Sequence, residues 1–468
     1  MISLQLSTIA KAIDAQLIGE DVTISQVFTD SRQKVADSLF IALVGENFDA
    51  HDFVQTAQQQ GAKALLVSKE VDNALPQLLV ENTEKALGDL AKLVRQRVNP
   101  KVIGITGSAG KTSVKEMTAE ILKCAVGEQK VLATAGNFNN HIGVPLTLLN
   151  LTHDTEYAVI EMGANHIGEI AYCAAIAKPD VAVVNNVAPA HIEGFGSIEG
   201  VAKAKGEIYQ SLAESGIGVI NLDSDFAQDY IAMTDFQKVT VSRHENATFT
   251  AQSIKLDDNN CATFDMNIES QKISIELNTP GEHQVSNALV AAALTASLGI
   301  GLNHIKQGLE QAQSVKGRLN RFRGINGSQL IDDTYNASVA SVNVAIDVLS
   351  HWQGTKILVL GDMAELGGSS KKYHQEVGAY AKQQAIDELM TWGSWSKYSS
   401  QAFGENAAHF ESKDSLIDSL MSKANNDTQI LVKGSRSARM EQVVEALKAN
   451  DHANQDEHHN SLGGGNQC

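Results

Sequence analysis

Between Lys101 and Glu120 the chain passes from a buried-strand pattern, KVIGIT, through a glycine turn, GSAG, into a helix that opens KTSVKEM. Apolar strand segments and amphipathic helical stretches alternate in the same way through most of the sequence. EYAVIE, DVAVVNN and IGVINLD follow the glycine turn, and QLIDD, TKILVLG, ELMTWG and TQILVKG come later. That alternation predicts an α/β protein with largely parallel sheets.

At roughly 100–200 residues per domain, 468 residues allow two to four domains, and three are expected. Residues 1–82 read as a small mixed α/β N-terminal domain. Its strands are VTISQVFTDSR, SLFIALVG and KALLVS, and its helix HDFVQTAQQQG stops at Gly61. Residues 83–315 read as a central P-loop domain, doubly wound around a mainly parallel sheet, with the nucleotide site at the carboxyl ends of its strands. Between about Lys238 and Leu277 the pattern shifts to short alternating strands, read as an antiparallel extension. Residues 316–450 read as a Rossmann-like C-terminal domain closed by the helix SARMEQVVEALKAN. The polar, glycine-rich stretch 451–468 is expected to be a disordered tail, with His458 and His459 part of it rather than metal ligands.

Composition removes several function classes. Lys and Arg total 37 against 55 Asp and Glu, a net charge of -18, which argues against nucleic-acid binding over a broad basic face. No apolar run reaches the roughly 18 residues of a membrane span. The start, MISLQLSTIAKAIDAQ, has no signal-peptide pattern, so a cytoplasmic protein is expected. Cys124, Cys173, Cys261 and Cys468 have neither metal nor redox spacing and read as reduced structural thiols. Nothing demands more than a monomer.

GSAGKTS, Gly107 to Ser113, is the strongest local signal. Gly107 and Gly110 let the backbone, including Ser108 and Ala109, approach phosphate oxygens. N–H groups at the helix start face the anion, aided by the helix dipole. Lys111 is placed to reach the β- and γ-phosphates of ATP, and Thr112 or Ser113 to bind Mg2+. Ile105 stands where the commoner G-x-x-x-x-G-K-[ST] spacing has its first glycine, so the loop is a shorter variant. Glu161 ends the strand YAVIE, where a carboxylate is placed to hold Mg2+ beside such a loop.

Other candidates are weaker when read singly. His191 lies in the loop after DVAVVNN and by itself reads as a solvated histidine. Lys203, Lys205 and Glu207 follow on a helix, and spacing alone makes the lysines counter-charges to a triphosphate. Asn137, Asn139 and Asn140 form an amide cluster suited to a sugar, a peptide or a uracil, or simply to a turn. GEHQVSNA supplies His283 and Asn287, and KGRLNRF supplies Arg318. LIDDTYNAS supplies Asp332, Asp333, Tyr335 and Asn336, and an aspartate at a strand end can accept from ribose hydroxyls. KGSRSARM sets Gly434, Ser435 and Arg436 at a helix start, a candidate carboxylate or phosphate clamp.

In this order, TDSR with FIALVGENFDAHDF, ITGSAGKTSVKEM, TAGNFNNHIGVPLTLL, EMGANHIGEI, AHIEGFGSIEGVAKAKGEIY, IDDTYNAS, LGDMAELG and LVKGSR resemble the Mur ligase family, from about Asp30 to Glu445. They are most similar to the member that joins D-alanyl-D-alanine to UDP-N-acetylmuramoyl-tripeptide. The resemblance implies ATP and Mg2+ as cofactors, those two small-molecule substrates, and UDP recognition by residues 1–82. It implies that Lys111 and Thr112 hold ATP and Mg2+, and that Glu161 binds Mg2+ between the β- and γ-phosphates. His191 would bind a second Mg2+, toward which a carbamoylated Lys205 would bridge. It further implies that Asn287, Arg318 and Asp333 contact ATP, that Ser31 and Arg32 lie near UDP, and that Asn139 and Asn140 lie near the muramoyl substrate. Gln284 departs from the family's usual Asn, and ASVAS, Ala337 to Ser341, replaces its usual Asn-Pro after YNA. The alternatives are another ligase of the superfamily, tripeptide-forming or folylpolyglutamate-forming, and a nucleotide switch that does not ligate.

Overall fold

The structure is a computed structural model that describes residues 1–449 apart from residues 46, 190–191, 214, 234–235 and 269–270. His191 and the tail with His458, His459 and Cys468 therefore lie outside the described residues. The chain forms two compact units. One comprises residues 1–255, 262–278 and 283–313; the other comprises 256–261, 279–282 and the chain from 314 onward.

The first unit carries two large sheets, besides two short two-stranded pairs. The smaller has five strands in the order Gln16–Ile18, Gln77–Leu79, Ala62–Val67, Ser38–Ile41, Gln26–Phe28. Its pairings are parallel except at Gln16–Ile18. Helix Thr83–Val98 follows, capped by the Asn82 side chain on Lys85 N at 2.9 Å and ended by left-handed Asn99 (φ 52°) ahead of Pro100. Its inner face, Leu87, Leu90 and Val94, belongs to one core with Leu6, Ile9 and Leu66 on one side and Val102 and Ile160 on the other.

The larger sheet has nine strands. They run Val131–Ala133, Tyr157–Glu161, Lys101–Thr106, Val181–Val184, Ile217–Asn221, Gln237–Ser242, Phe249–Leu256, Cys261–Ile268, Gln271–Pro280. Lys101–Thr106 is flanked in parallel by two strands whose register sets Ile105 opposite Glu161 and Thr106 opposite Val184. The three strand ends therefore lie side by side, and the turn after Thr106 emerges between Glu161 and Asn185.

The stretch read as an antiparallel extension differs at its start. Gln237–Ser242 is parallel to Ile217–Asn221, and Phe249–Leu256 pairs in parallel with it over Val241↔Phe249 and Ser242↔Thr250. Between them the Ser242 hydroxyl accepts from His244 N at 2.9 Å and Glu245 N at 2.7 Å. This local turn kinks the chain without reversing it. Alternation in the sequence reports a half-buried strand, not its direction.

The second unit has a six-stranded sheet in the order Asn320–Arg323, Gln329–Asp333, Thr428–Lys433, Thr355–Gly361, Glu388–Trp392, Ala407–Phe410, antiparallel only at its first pair. Apolar layers cover both faces, one around Ile346, Leu349 and Val377, the other around Leu416, Val443 and Leu447. Helix Val339–Ser350 starts within the ASVAS departure. Ser338 caps it, its hydroxyl and that of Ser341 forming a reciprocal box. The three large sheets belong to the three-domain α/β architecture expected from the sequence.

Candidate active site

The glycine turn is held from outside by two asparagines at the end of the neighbouring strand. Ala109 N donates to Asn186 Oδ1 at 2.8 Å, and Asn185 Nδ2 donates to Ala109 O at 2.9 Å. The Ser108 hydroxyl donates to Ala188 O at 3.0 Å. Gly110 has φ 75°, and a Cβ there would lie 2.6 Å from Asn185 Nδ2 and 2.7 Å from Asn287 Oδ1. Only glycine fits this turn and leaves room for an anion over it. Helix Lys111–Val126 begins immediately after, so its first N–H groups line the turn. The Lys111 ammonium donates to Gly107 O at 2.8 Å, which folds the side chain back over the turn.

Of the two hydroxyls offered by the sequence, Thr112 is the buried one. It donates to Glu161 Oε2 at 2.9 Å, while Asn139 Nδ2 donates to Glu161 Oε1 at 2.8 Å. Glu161 is 2% exposed. Its backbone N–H donates to the Thr134 hydroxyl at 3.0 Å. Asn140 accepts from Gly143 N at 2.8 Å and Ile142 N at 3.2 Å, starting helix Gly143–Leu148.

Lys203 and Lys205 separate as helix geometry requires. Lys203 is exposed on helix Ile198–Gln210, whereas Lys205 is 2% exposed and no described residue pairs with its ammonium. Burial, with the Lys111 charge adding to it, holds the Lys205 amine well below the usual lysine range. Glu207 turns away and accepts from Gly168 N and Ala171 N, capping helix Glu169–Ala177. Asn287 accepts from Asn185 at 3.3 Å and donates to Gln284 Oε1 at 2.8 Å, so the departing Gln284 orients it.

Within the second unit, Arg318, Asp333 and Lys433 form a second cluster. The Lys433 ammonium donates to Asp333 Oδ2 at 2.6 Å and to Asn336 O at 2.9 Å. The Arg318 guanidinium lies 4.4 Å from the centre of the Tyr335 ring. Burial works against both charges of the ion pair. It lifts Asp333 above its ordinary value and lowers Lys433, Arg318 adding to the latter. Arg436 is exposed and pairs with Glu441 at 3.4 Å, and buried Ser435 donates its N–H to Asp362 O.

Arg32 is exposed and doubly bonded to Asp30, whose carboxyl it holds at about 2. No described hydrogen bond or ion pair ties Ser31 or Arg32 to the glycine turn. Among the described residues no cysteine is in a disulfide, and burial pushes the Cys173 thiol up to about 12, as suits an inert thiol.

The sequence reading missed Asn185, Asn186, Thr134 and Lys433. The first two carried a signal, since they are amides at a strand end beside a phosphate loop. Thr134 and Lys433 meet their partners only through sheet register.

Three family models match the chain: "Mur ligase family, catalytic domain" over residues 23–95, "Mur ligase middle domain" over 105–295, and "Mur ligase, glutamate ligase domain" over 317–436. A UDP-N-acetylmuramoyl-tripeptide–D-alanyl-D-alanine ligase of Escherichia coli K12 is 46% identical over 96% of this chain and 99% of its own. A crystal structure of MurF from Acinetobacter baumannii superposes with a TM-score of 0.90 at 33% identity, over 95% of this chain and 98% of that one. The MurF ligase of Thermotoga maritima in complex with ADP superposes with a TM-score of 0.81 at 27% identity, over 90% and 96%.

Proposed function

The chain belongs to the Mur ligase family, and we propose that it joins D-alanyl-D-alanine to UDP-N-acetylmuramoyl-tripeptide at the expense of ATP, an ADP-forming step of peptidoglycan precursor synthesis. The substrates follow from the full-length relatives. The chemistry rests on one observation, the hydroxyl of Thr112 meeting the carboxylate of Glu161 beside a glycine turn.

The γ-phosphoryl group of ATP passes to the tripeptide's terminal carboxylate, giving ADP and an acyl phosphate. The dipeptide's amine attacks that carbonyl carbon, the amide bond forms, phosphate leaves and the amine loses its proton. Helix-start N–H groups and Lys111 hold the phosphates and stabilise the charge that moves with them. Water must be kept out while the acyl phosphate exists.

The donors present suit Mg2+. Thr112 and Glu161 offer oxygens, and Mg2+ commonly takes one or two carboxylates with substrate phosphates. Asn185 Oδ1 and Thr106 Oγ1 lie buried beside the turn without a hydrogen-bond partner among the described residues, as groups awaiting a hydrated ligand do. When bound, Mg2+ supplies charge neutralisation at the transferring phosphate. His191 is assigned to a second Mg2+ and Lys205 to a carbamate. A buried amine kept neutral reacts readily with carbon dioxide, and the product is an anionic oxygen ligand.

Asn287, Arg318 and Asp333 are assigned to ATP. Residues 1–82, with Ser31 and Arg32, are assigned to UDP, and Asn139 and Asn140 to the muramoyl part. Residues 83–315 and 316–450 are assigned as the ATP-binding and C-terminal ligase domains. Supply of ATP places the reaction in the cytoplasm, with the monomer as the working unit.

The test is to supply ATP, Mg2+ and both substrates and follow products by mass spectrometry. The UDP-muramoyl-pentapeptide should appear in step with ADP. ADP formed without that product would defeat the proposal.

A further inference from the structure

Lys115 is a second lysine of the phosphate-loop helix, one turn beyond Lys111, yet it is 3% exposed. A buried ammonium must be matched to acceptors, and those it meets show what it is for. It donates to Thr134 O at 2.8 Å and to Glu116 Oε1 at 2.5 Å. Thr134 follows the strand Val131–Ala133, and all three of its polar groups are used on this corner. Its N–H continues the ladder to Val159 O at 3.0 Å, its carbonyl takes Lys115, and its hydroxyl takes Glu161 N at 3.0 Å.

The same corner opens the loop that carries Asn139, whose amide holds the other side of Glu161. Lys115 therefore ties the phosphate-loop helix to the strand end that fixes the backbone of Glu161 and to the loop that fixes its carboxylate.

We propose that Lys115 is a positioning residue for the cation site, acting through Thr134 to hold Glu161 at the distance where Thr112 and Glu161 share one Mg2+. This rests on the reading that Glu161 holds the cation. Groups that orient a ligand from behind typically set metal affinity by 10–100-fold. Lys115→Met keeps the packed stem and removes the donor, leaving the Thr134 carbonyl buried and unmatched. Lys115→Arg keeps a donor.

The measurement is nucleotide binding to the full-length protein by calorimetry, with and without Mg2+, alongside amide hydrogen exchange of the ligand-free protein at residues 131–134 and 157–163. Lys115→Met should raise the half-saturating Mg2+ concentration about tenfold, leave Mg2+-free nucleotide binding unchanged and speed exchange at Glu161. Lys115→Arg should recover most of both effects. If Lys115→Met does not fold, Thr134→Val serves, since it removes the acceptor of Glu161 N–H and leaves the carbonyl that takes Lys115. Wild-type Mg2+ dependence in the folded variant overturns the inference. Glu161→Gln separates the two claims: a shift there without one at Lys115 sinks only the positioning role, and no shift at Glu161 sinks the cation assignment itself.

Discussion

Thr112 Oγ1 lies 2.9 Å from Glu161 Oε2, a contact between the first turn of the phosphate-loop helix and the tip of the adjacent strand. Parallel register fixes it, with Ile105 opposite Glu161 and the helix starting five residues after Thr106. Thr112→Val keeps the shape of the side chain and removes both the hydrogen bond and a candidate cation ligand. Turnover at fixed Mg2+ should fall by roughly tenfold or more, the scale of losing one such ligand or orienting group. Steady-state kinetics over a Mg2+ series checks this. Unchanged kinetics would mean that the hydroxyl serves only packing.

The contrast between Lys203 and Lys205 gives a second test. Lys205→Ala should nearly abolish ligation while nucleotide binding stays measurable, and Lys203→Ala should be mild, because Lys203 is exposed and Lys205 buried. Carbon-13 NMR after equilibration with labelled bicarbonate should show a carbamate signal in the wild type that Lys205→Ala lacks. A wild type without that signal would remove the carbamate from the mechanism.

Much of this site was legible in the sequence because its chemistry is local. The glycine turn needs backbone freedom at Gly110, a lysine and a hydroxyl in consecutive positions, and these can be read directly. Glu161 was legible as the last residue of an apolar strand. Thr134 and Lys433 were not, because each acts across strands that sequence order does not place together. Lys433 meets Asp333 since Thr428–Lys433 lies beside Gln329–Asp333, nearly a hundred residues earlier in the chain. The direction of Phe249–Leu256 was misread for a related reason. Alternating polarity gives the buried face of a strand and says nothing of which way it runs.

That ion pair should matter for the fold of the second unit. Asp333→Asn leaves the Lys433 ammonium buried against a neutral partner, a loss of about 3–5 kcal/mol for breaking one side of a buried pair. The double variant Asp333→Asn, Lys433→Met removes the stranded charge and should recover part of that loss. Denaturant unfolding of the full chain checks both. A double variant no more stable than the single one would mean that the two residues are not coupled.

His374 sets a pH dependence. Its Nδ1 donates to Ser370 O at 2.7 Å and its Nε2 accepts from Met363 N at 3.0 Å, so the neutral ring is the one that fits. Burial lowers its pKa below the ordinary 6.5. The unfolded chain therefore takes up a proton near pH 6.5 while the folded chain does not. Its contribution is full above that pH and is lost as pH falls toward the folded value. The thermal midpoint should drop on acidification from pH 7.5 to about 5, and His374→Gln, though less stable overall, should show a shallower drop. Equal slopes would assign the acid sensitivity to other groups.

Ligation differs from simple ATP hydrolysis in what phosphate release depends on. The decisive measurement is inorganic phosphate released by the purified full-length protein with ATP and Mg2+, first alone, then with UDP-N-acetylmuramoyl-tripeptide, then with D-alanyl-D-alanine, then with both. Sustained release should occur only with both present, one phosphate for each amide bond formed. Release with ATP alone, or release that the dipeptide does not stimulate, would contradict ligation and point to a nucleotide switch.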